Sequence, residues 1–202
     1  MYFYKDWSLW KIIKNEAKVY YPSPKLSNIL SLLWFSLDFQ SNITYRIIRK
    51  IYDRWGKYNF SETLVRIFMN RSLCRYGILI DDKAEIGERL NLMHAEGTVI
   101  GSRVKIGNGV MILNGVNLGN AKPAISKEKR VPMPYIGNNV LIGAGAKILG
   151  NITIGDNVII GANAIVLKSF GSNVVIAGVP AKVIREITDE DKKILRQIRG
   201  KD

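Results

Sequence analysis

The chain has 202 residues, of which 47% are hydrophobic and 23% are charged, values typical of a protein that buries a core. This composition excludes a wholly disordered protein. The longest apolar run, residues 29–37, is far shorter than the ~20 residues needed to span a bilayer. The first residues lack the basic start and cleavage site of a secretory signal. The single cysteine, Cys74, has no partner for a disulfide or a CxxC site. We therefore expect a cytoplasmic protein, soluble or attached to the inner face of the membrane.

The net charge of the chain is +13, and residues 1–77 carry thirteen Lys or Arg against five Asp or Glu, a net +8. Such an excess attracts polyanions. No nucleic-acid-binding motif is present, so we expect no nucleic-acid partner. Anionic lipid, an acidic glycan, a phosphate-rich ligand and an ordinary solvated surface all remain open.

Residues 1–77 have the pattern of helices. Trp7, Trp10, Ile13, Ala17 and Tyr20 recur at three- and four-residue spacing, which is typical of one helix face. The YPSP at 21–24 ends this segment, because proline disfavours helix in the residue before it. Further helices are predicted at about 26–39, 41–53 and 61–76.

After residue 77 the hydrophobic period changes to six. The aliphatic residues in phase are Ile80, Ile86, Leu92, Ile100, Ile106, Ile112, Leu118, Ile136, Ile142, Ile148, Ile154, Ile160 and Val166. Repeats of this length indicate a parallel β-helix, in which each hexapeptide is a short strand plus a turn and three hexapeptides make one coil. The sequence therefore predicts a mainly β fold with an N-terminal α-helical region and a short C-terminal helix.

Other positions of the repeat support this prediction. The residue after the aliphatic one is usually glycine, and the fifth position is small or β-branched and predicted to face inward. The fourth position is Gly or Asn, the residues that tolerate left-handed backbone angles at a tight corner. Its members are Gly109, Gly115, Asn139, Gly145, Asn151, Asn157 and Asn163. We divide the chain into a helical region at 1–77, a β-helix domain at 78–184 with a loop inserted at 120–135, and a helical tail at 185–202.

The repeat region resembles the hexapeptide-repeat acyltransferases. The matching strings are MHAEGTVIG at 93–101, NLG at 117–119, IGAGAKILGNITIGDNVIIGANAIV at 142–166 and AGVPAKVI at 177–184. Among these enzymes the chain is most similar to serine O-acetyltransferases and to capsule or exopolysaccharide O-acetyltransferases. The resemblance implies a left-handed β-helix, a homotrimer, acetyl-CoA in a groove between subunits, and a histidine base acting on a hydroxyl.

His94 is the single histidine of the chain and the candidate general base. The step from Leu92 to Ile100 is eight residues instead of six, so we expect Ala95 and Glu96 to form a two-residue bulge beside His94. Bulges often re-aim a side chain at a site. A neutral imidazole accepts a proton near neutral pH, and such help is typically worth ~10²–10⁴-fold in rate. The acid partner of the imidazole is either Glu96 or a backbone carbonyl.

The spacing also predicts a column of residues along one corner of the prism. If residues 120–135 are an inserted loop, four aliphatic residues stack on one face, and the residues two positions later form the column: His94, Asn114, Ala144 and Ala162. Asn114 then either orients His94, donates a hydrogen bond to the developing oxyanion, or is a turn residue. The two alanines leave backbone N–H groups accessible to an extended ligand.

The resemblance also implies the residues that bind acetyl-CoA, with its extended arm at the two alanines and its adenosine end at the C-terminal tail. These residues are Gly119, Gly143, Ala144, Gly161, Ala162, Pro180, Lys182 and Arg185. Positive charges suit the CoA phosphates, although Lys182 and Arg185 are alternatively plain surface residues. Three roles are open for the basic residues of the loop: contact with an acidic substrate, contact with the CoA phosphates, or simple solvation. These residues are Lys122, Lys127, Lys129 and Arg130.

The chain departs from serine acetyltransferases at the acceptor pocket. Met93 stands where that family has an aspartate just before its histidine, Leu79 stands where a second aspartate serves the serine amine, and the family's second histidine falls near Met133. We therefore expect the acceptor to be a hydroxyl of a sugar or polysaccharide precursor. A serine or sugar-nucleotide acetyltransferase and a non-enzymatic trimeric scaffold are the alternatives.

No metal is expected. A carbonic anhydrase on the same fold needs three histidine ligands for zinc, and this chain has one histidine. Cys74 lies before the coils and is a poor candidate for a nucleophile.

The aromatic residues of the first 35 positions have two open roles. They form a core that stabilises the trimer, or some of them contact the cytoplasmic membrane face together with basic residues. The residues concerned are Tyr2, Phe3, Tyr4, Trp7, Trp10, Trp34 and Phe35, with Arg46, Arg49, Lys50 and Arg54.

Overall fold

The computed structural model describes residues 8–55, 75–121 and 133–199, together with residues 63 and 67. Most of the predicted helix at 61–76 and of the inserted loop at 120–135 lies outside the described residues. The helices are α1 (Leu9–Glu16), continued by a 3-10 turn (Ala17–Val19), α2 (Leu26–Phe35), α3 (Leu37–Trp55) and α4 (Asp189–Arg199). Within the described residues, no helix is both long and apolar enough to cross a bilayer.

Short strands follow the helical region, most of them two or three residues long. They are β1 (Leu79–Ile80), β2 (Glu85–Ile86), β3 (Asn91–Leu92), β4 (Val99–Ile100), β5 (Lys105–Ile106), β6 (Met111–Ile112), β7 (Asn117–Gly119), β8 (Tyr135–Ile136), β9 (Leu141–Ile142), β10 (Lys147–Leu149), β11 (Thr153–Ile154), β12 (Ile159–Ile160), β13 (Ile165–Val166), β14 (Val174–Ala177) and β15 (Lys182–Glu186).

The described strands form three parallel sheets that are the faces of a prism. Their orders are β1-β4-β7-β10-β13, β2-β5-β8-β11 and β3-β6-β9-β12-β14-β15, and only the β14–β15 pair is antiparallel. Neighbours within the first two sheets are three strands apart in sequence, so three strands complete one coil. This confirms the predicted fold, a left-handed parallel β-helix with an N-terminal helical region and a short C-terminal helix.

The core of the prism is built from the aliphatic and fifth positions of the repeat. Every aliphatic residue in phase is buried, from Ile80 at 7% exposed to Val166 at 0%, and fifth-position residues such as Val140 and Ala164 are buried as well. In the third sheet Leu92 pairs with Ile112, Ile112 with Ile142 and Ile142 with Ile160. Ile112 and Ile142, which lie before and after residues 120–132, therefore have the register that the spacing predicts.

The corners use residues in left-handed conformation. All but one of the predicted fourth-position residues have positive φ, for example +66° at Gly115 and +54° at Asn139. The exception is Asn151, where the prediction is wrong. Gly150 adopts a φ of +99° in that coil instead, because glycine carries no Cβ to oppose it.

Two details of the helical region differ from the prediction. The break expected near residue 40 lies at Ser36, whose hydroxyl accepts a hydrogen bond from the Phe39 amide (3.2 Å) and caps α3. The expected apolar face of α1 is also displaced, because Trp10 is 50% exposed whereas Ile12 and Glu16 are buried.

Glu16 is buried because it joins the helices to the β-helix through Arg46. Arg46 is fully buried, pairs with Glu16 (3.1 Å) and donates hydrogen bonds to the carbonyls of Ile86 (2.8 Å) and Gly87 (2.6 Å). A buried charge needs such partners. The expectation that Arg46 contacts lipid headgroups is therefore wrong, since its charge is used inside the protomer.

The domain boundaries stay a prediction. β15 runs across the proposed boundary at 184/185, and α4 begins three residues after that strand ends.

Candidate active site

The two extra residues in the repeat after β3 are His94 and Ala95. The amide of Met93 donates to the Ile112 carbonyl (3.0 Å), and the Glu96 carbonyl accepts from the Gly115 amide (2.8 Å), so the coil is in register on both sides of these two residues. The expected bulge of Ala95 and Glu96 is therefore displaced by one residue. Ala95 turns into the core and is fully buried, whereas His94 is exposed.

This register changes the membership of the corner column. The Asn114 carbonyl accepts from Gly145 and the Ala144 carbonyl from Asn163, both at 2.8 Å, in the same way that Glu96 accepts from Gly115. The column is therefore Glu96, Asn114, Ala144 and Ala162. The prediction that His94 stacks directly over Asn114 is wrong, because His94 projects from the inserted turn beside the column.

His94 has a φ of +50°, a conformation that costs a residue with a side chain about 1 kcal/mol. The turn is held by a carboxylate from the helical region. The backbone N–H of His94 donates to Asp38 Oδ2 (3.0 Å) and that of Ala95 to Asp38 Oδ1 (3.2 Å). Among the described residues, none hydrogen-bonds to the imidazole ring, and the exposed Glu96 carboxylate makes no ion pair with it. The acid partner of His94 therefore stays open.

Asp38 lies in the first turn of α3, where a negative charge is favoured by the helix dipole. Desolvation of the partly exposed Tyr20 side chain, followed by the charge of the Asp38 carboxylate, raises the pKa of Tyr20 to about 12, so the Tyr20 phenol stays protonated. Asp38 is not among the site residues predicted from the sequence. Its only signal there was an acidic residue following a serine, which indicates the start of a helix and not a contact 56 residues away.

The corner column offers free backbone donors. Within the described residues, the amide N–H groups of Asn114, Ala144 and Ala162 donate no hydrogen bond, whereas those of Gly143 and Gly145 are used between coils. Ala162 is exposed and Ala144 partly so. Neighbouring coils lie about 4.8 Å apart, so the column from Glu96 to Ala162 is about 14 Å long. An extended ligand with amide carbonyls fits such a row of donors.

The glycines of the predicted ligand set differ in what they do. A Cβ on Gly143 would lie 2.6 Å from the Ala162 amide nitrogen, and one on Gly161 would lie 2.8 Å from the Ala177 Cβ, so coil stacking itself requires both glycines. A Cβ on Gly119 would meet only Asn117 Oδ1 at 3.4 Å. Gly119 ends β7 and lies at another corner of the prism, apart from the column.

The C-terminal hairpin of β14 and β15 lies at the far end of the corner column. The Gly178 carbonyl accepts from the Ile165 amide (3.0 Å), and the Ala181 amide donates to the Ile165 carbonyl (2.9 Å), which places residues 178–181 on the last coil. Pro180 and Lys182 are exposed there. The structure therefore brings Pro180 and Lys182 to the end of the column that begins at the His94 turn.

Arg185 is engaged elsewhere. Its guanidinium forms a two-pronged ion pair with the Asp191 carboxylate, with Nη2 at 3.1 Å from Oδ1. This contact connects β15 to α4. A CoA phosphate would therefore have to compete with the Asp191 carboxylate for the Arg185 guanidinium.

At the three positions where the sequence departs from the family's acceptor pocket, the structure places apolar side chains. Leu79 is half-buried in β1, Met93 is 42% exposed beside His94, and Met133 packs against the core. Within residues 8–55, 75–121 and 133–199, no three His, Cys, Asp or Glu side chains come together as a metal site would require.

Comparisons with known proteins agree with this fold. The family model for bacterial transferase hexapeptides (six repeats) matches residues 133–168. A serine acetyltransferase of Staphylococcus xylosus is 47% identical over 110 residues, 54% of this chain and 49% of the relative, so that alignment spans about half the relative's length. A serine acetyltransferase of Staphylococcus aureus is 36% identical over 179 residues, 88% of this chain and 79% of the relative.

The chain belongs to the serine acetyltransferase family. A solved structure supports the membership: the Brucella abortus serine acetyltransferase in complex with coenzyme A is 33% identical, with a TM-score of 0.75 over 88% of this chain and 68% of that one. The resemblance stated from the sequence is thereby confirmed. Because these relatives are named for serine, they support the serine alternative better than the sugar acceptor that the sequence analysis preferred.

Proposed function

We propose that the protein is an acetyl-CoA-dependent O-acetyltransferase, with serine as the first candidate acceptor and His94 as the general base. One observation carries the proposal: a single corner of the prism holds an exposed imidazole at one end, free backbone donors along its length and an exposed lysine at the other end. The coenzyme A complex of the Brucella abortus relative supports acetyl-CoA as the donor.

The chemistry follows from these groups. His94 takes the proton of the acceptor hydroxyl while the oxygen attacks the thioester carbonyl, and the C–S bond then breaks as the imidazolium returns the proton to the sulfur. A hydrogen bond to the developing oxyanion lowers the barrier, and the N–H or the side chain of Asn114 is a candidate donor in the column. No covalent enzyme intermediate is needed, and the column residues Ala144 and Ala162 bind the extended arm.

A sugar hydroxyl is the second candidate acceptor, and a specific observation favours it. Met93 and Leu79 place apolar side chains where the family resemblance calls for carboxylates, and an ammonium group left without a carboxylate binds poorly. A neutral sugar needs no such carboxylate. The two candidates therefore differ in a measurable way.

The test is acetyl transfer from acetyl-CoA to L-serine and to a panel of glycosides and sugar nucleotides, followed by thiol release and by mass spectrometry of the products. We expect O-acetyl product, and His94→Ala to lower turnover ~10²–10⁴-fold with the affinity for CoA nearly unchanged. Full turnover in His94→Ala would remove the assigned base. Absence of both CoA binding and thiol release would favour a non-enzymatic scaffold, and N-acetylated products would favour a sugar-nucleotide N-acetyltransferase.

The assembly and location are part of the same proposal. We propose a homotrimer, since the family resemblance implies a ligand groove between subunits and the corner column is open in one protomer. Contact with the membrane from the cytoplasmic side also stays a proposal. It is supported by Trp34 and Phe35, which are 79% and 78% exposed.

A further inference from the structure

The turn that carries His94 is stabilised from outside the β-helix. Two successive N–H groups, those of His94 and Ala95, point to one carboxylate, and each of its oxygens accepts one of them. Consecutive backbone N–H groups of this kind form an anion-binding concavity. Here the concavity is filled by the side chain of Asp38, from α3.

The turn has a specific need for such a partner. Each coil of the column places Gly97, Gly115, Gly145 or Asn163 at its left-handed corner position, and His94 is an additional left-handed residue, with a φ of +50° and a full imidazole side chain. The backbone hydrogen bonds to the neighbouring coil stop at Met93 and resume at Glu96. Among the described residues, the Asp38 carboxylate supplies the partner for both amides of the inserted pair.

The helix that supplies Asp38 is fixed to the β-helix. Besides the half-buried Arg49, which donates to the Asp82 and Ala84 carbonyls (3.2 Å each), three of its side chains bond to carbonyls of the first coil: Arg46 to Ile86 and Gly87, Tyr45 to Ala84 (2.8 Å), and Asn42 to Leu90 (3.0 Å). All three side chains are buried. The position of Asp38 relative to the turn is therefore set by a rigid interface, and the carboxylate transmits that position to the turn.

We propose that Asp38 is a positioning residue for His94. It sets the backbone of the inserted turn and so the direction in which the imidazole leaves the corner. This inference rests on the proposed function, since it concerns the base of that reaction. By this proposal the N-terminal helices contribute to catalysis, because α3 supplies the carboxylate that positions the base.

The experiment compares Asp38→Ala and Asp38→Asn with the parent, with Asp53→Ala as the matched control that removes another carboxylate of α3, one paired with Arg49 on the same helix. We expect Asp38→Ala to lower kcat about 10- to 100-fold through misplacement of the base. The KM for acetyl-CoA should change less than twofold. Asp38→Asn keeps one acceptor oxygen for the two amides and should lie between Asp38→Ala and the parent, and Asp53→Ala should keep the parent kcat.

A double variant distinguishes positioning from a general loss of structure. In the His94→Ala background, Asp38→Ala should cause no further loss of residual turnover, because Asp38 acts through His94. The proposal is overturned if Asp38→Ala keeps kcat within twofold of the parent, or if it lowers turnover equally with and without His94. If His94→Ala itself is fully active, the proposed base fails, and that result is distinct from either outcome for Asp38.

Discussion

Glycine in the second position of the repeat has different structural roles at different corners of the prism. At Gly143 the next coil approaches so closely that a Cβ would lie 2.6 Å from the Ala162 amide nitrogen and 2.8 Å from the Ile160 carbonyl oxygen. Both are backbone atoms, which move only if the coil moves. At Gly119 the nearest atom is 3.4 Å away and belongs to a side chain.

We therefore expect Gly143→Ala to lower the free energy of unfolding by about 1–3 kcal/mol, the usual result of forcing an extra group into a packed region. Gly119→Ala, the matched control, should change it by less than about 0.5 kcal/mol. Urea denaturation of both variants checks this. Equal stabilities for the two variants would show that the coils adjust freely to a Cβ at this position.

At the scale of elements, α4 is attached to the β-helix by the ion pair between Arg185 and Asp191 and by Leu195, which is buried against Met111. The hydrogen bond from Arg185, followed by those from the backbone and hydroxyl of Thr188, holds the pKa of Asp191 well below its usual range. A carboxyl group with a lowered pKa in the folded state stabilises that state above its unfolded pKa, about 3.9, and the contribution is lost as the pH falls further. The attachment of α4 should therefore be constant from pH 7 to about pH 5 and weaken below about pH 4.

Hydrogen exchange of the α4 amides as a function of pH measures this attachment. We expect Asp191→Asn to raise exchange in α4 already at neutral pH and to remove most of its acid dependence. Glu190→Gln is the control, since it removes a negative charge from the same first turn without touching the Arg185 contact. An acid dependence that survives unchanged in Asp191→Asn would contradict the assignment.

At the scale of the whole molecule, the helical region presents an uncovered apolar surface. Leu26, Leu30 and Trp34 recur every four residues along one face of α2 and are 59%, 56% and 79% exposed, with Phe35 at 78%. α2 contains no charged residue, while Lys25 precedes it and Lys11 and Lys14 lie exposed on α1. Apolar and aromatic residues flanked by lysines are typical of a surface that meets anionic lipid.

A double variant, Trp34→Ser with Phe35→Ser, tests this assignment together with the proposed trimer. We expect the parent to float with anionic vesicles at low salt and the variant to bind them at least roughly tenfold less well. Light scattering should give three times the chain mass of 22.8 kDa for both proteins. If the variant no longer forms a trimer, α2 packs against a second copy of the chain. If the parent protein does not bind the vesicles, the apolar surface of α2 does not contact lipid.

The repeat by itself determined the prism, because a six-residue period leaves one way to bury every aliphatic column and so fixes the sheets, the core and the stacking of Leu92, Ile112, Ile142 and Ile160. It also predicted His94 and the two alanines of the corner as candidate site residues. The tertiary structure decided which two residues leave the coil, because eight residues between Leu92 and Ile100 fit several registers and only the hydrogen bonds between coils select one. It also decided the contacts of Asp38, Glu16 and Arg46, since contacts between residues 30 or more positions apart depend on how the helices dock and leave no periodic pattern in the sequence.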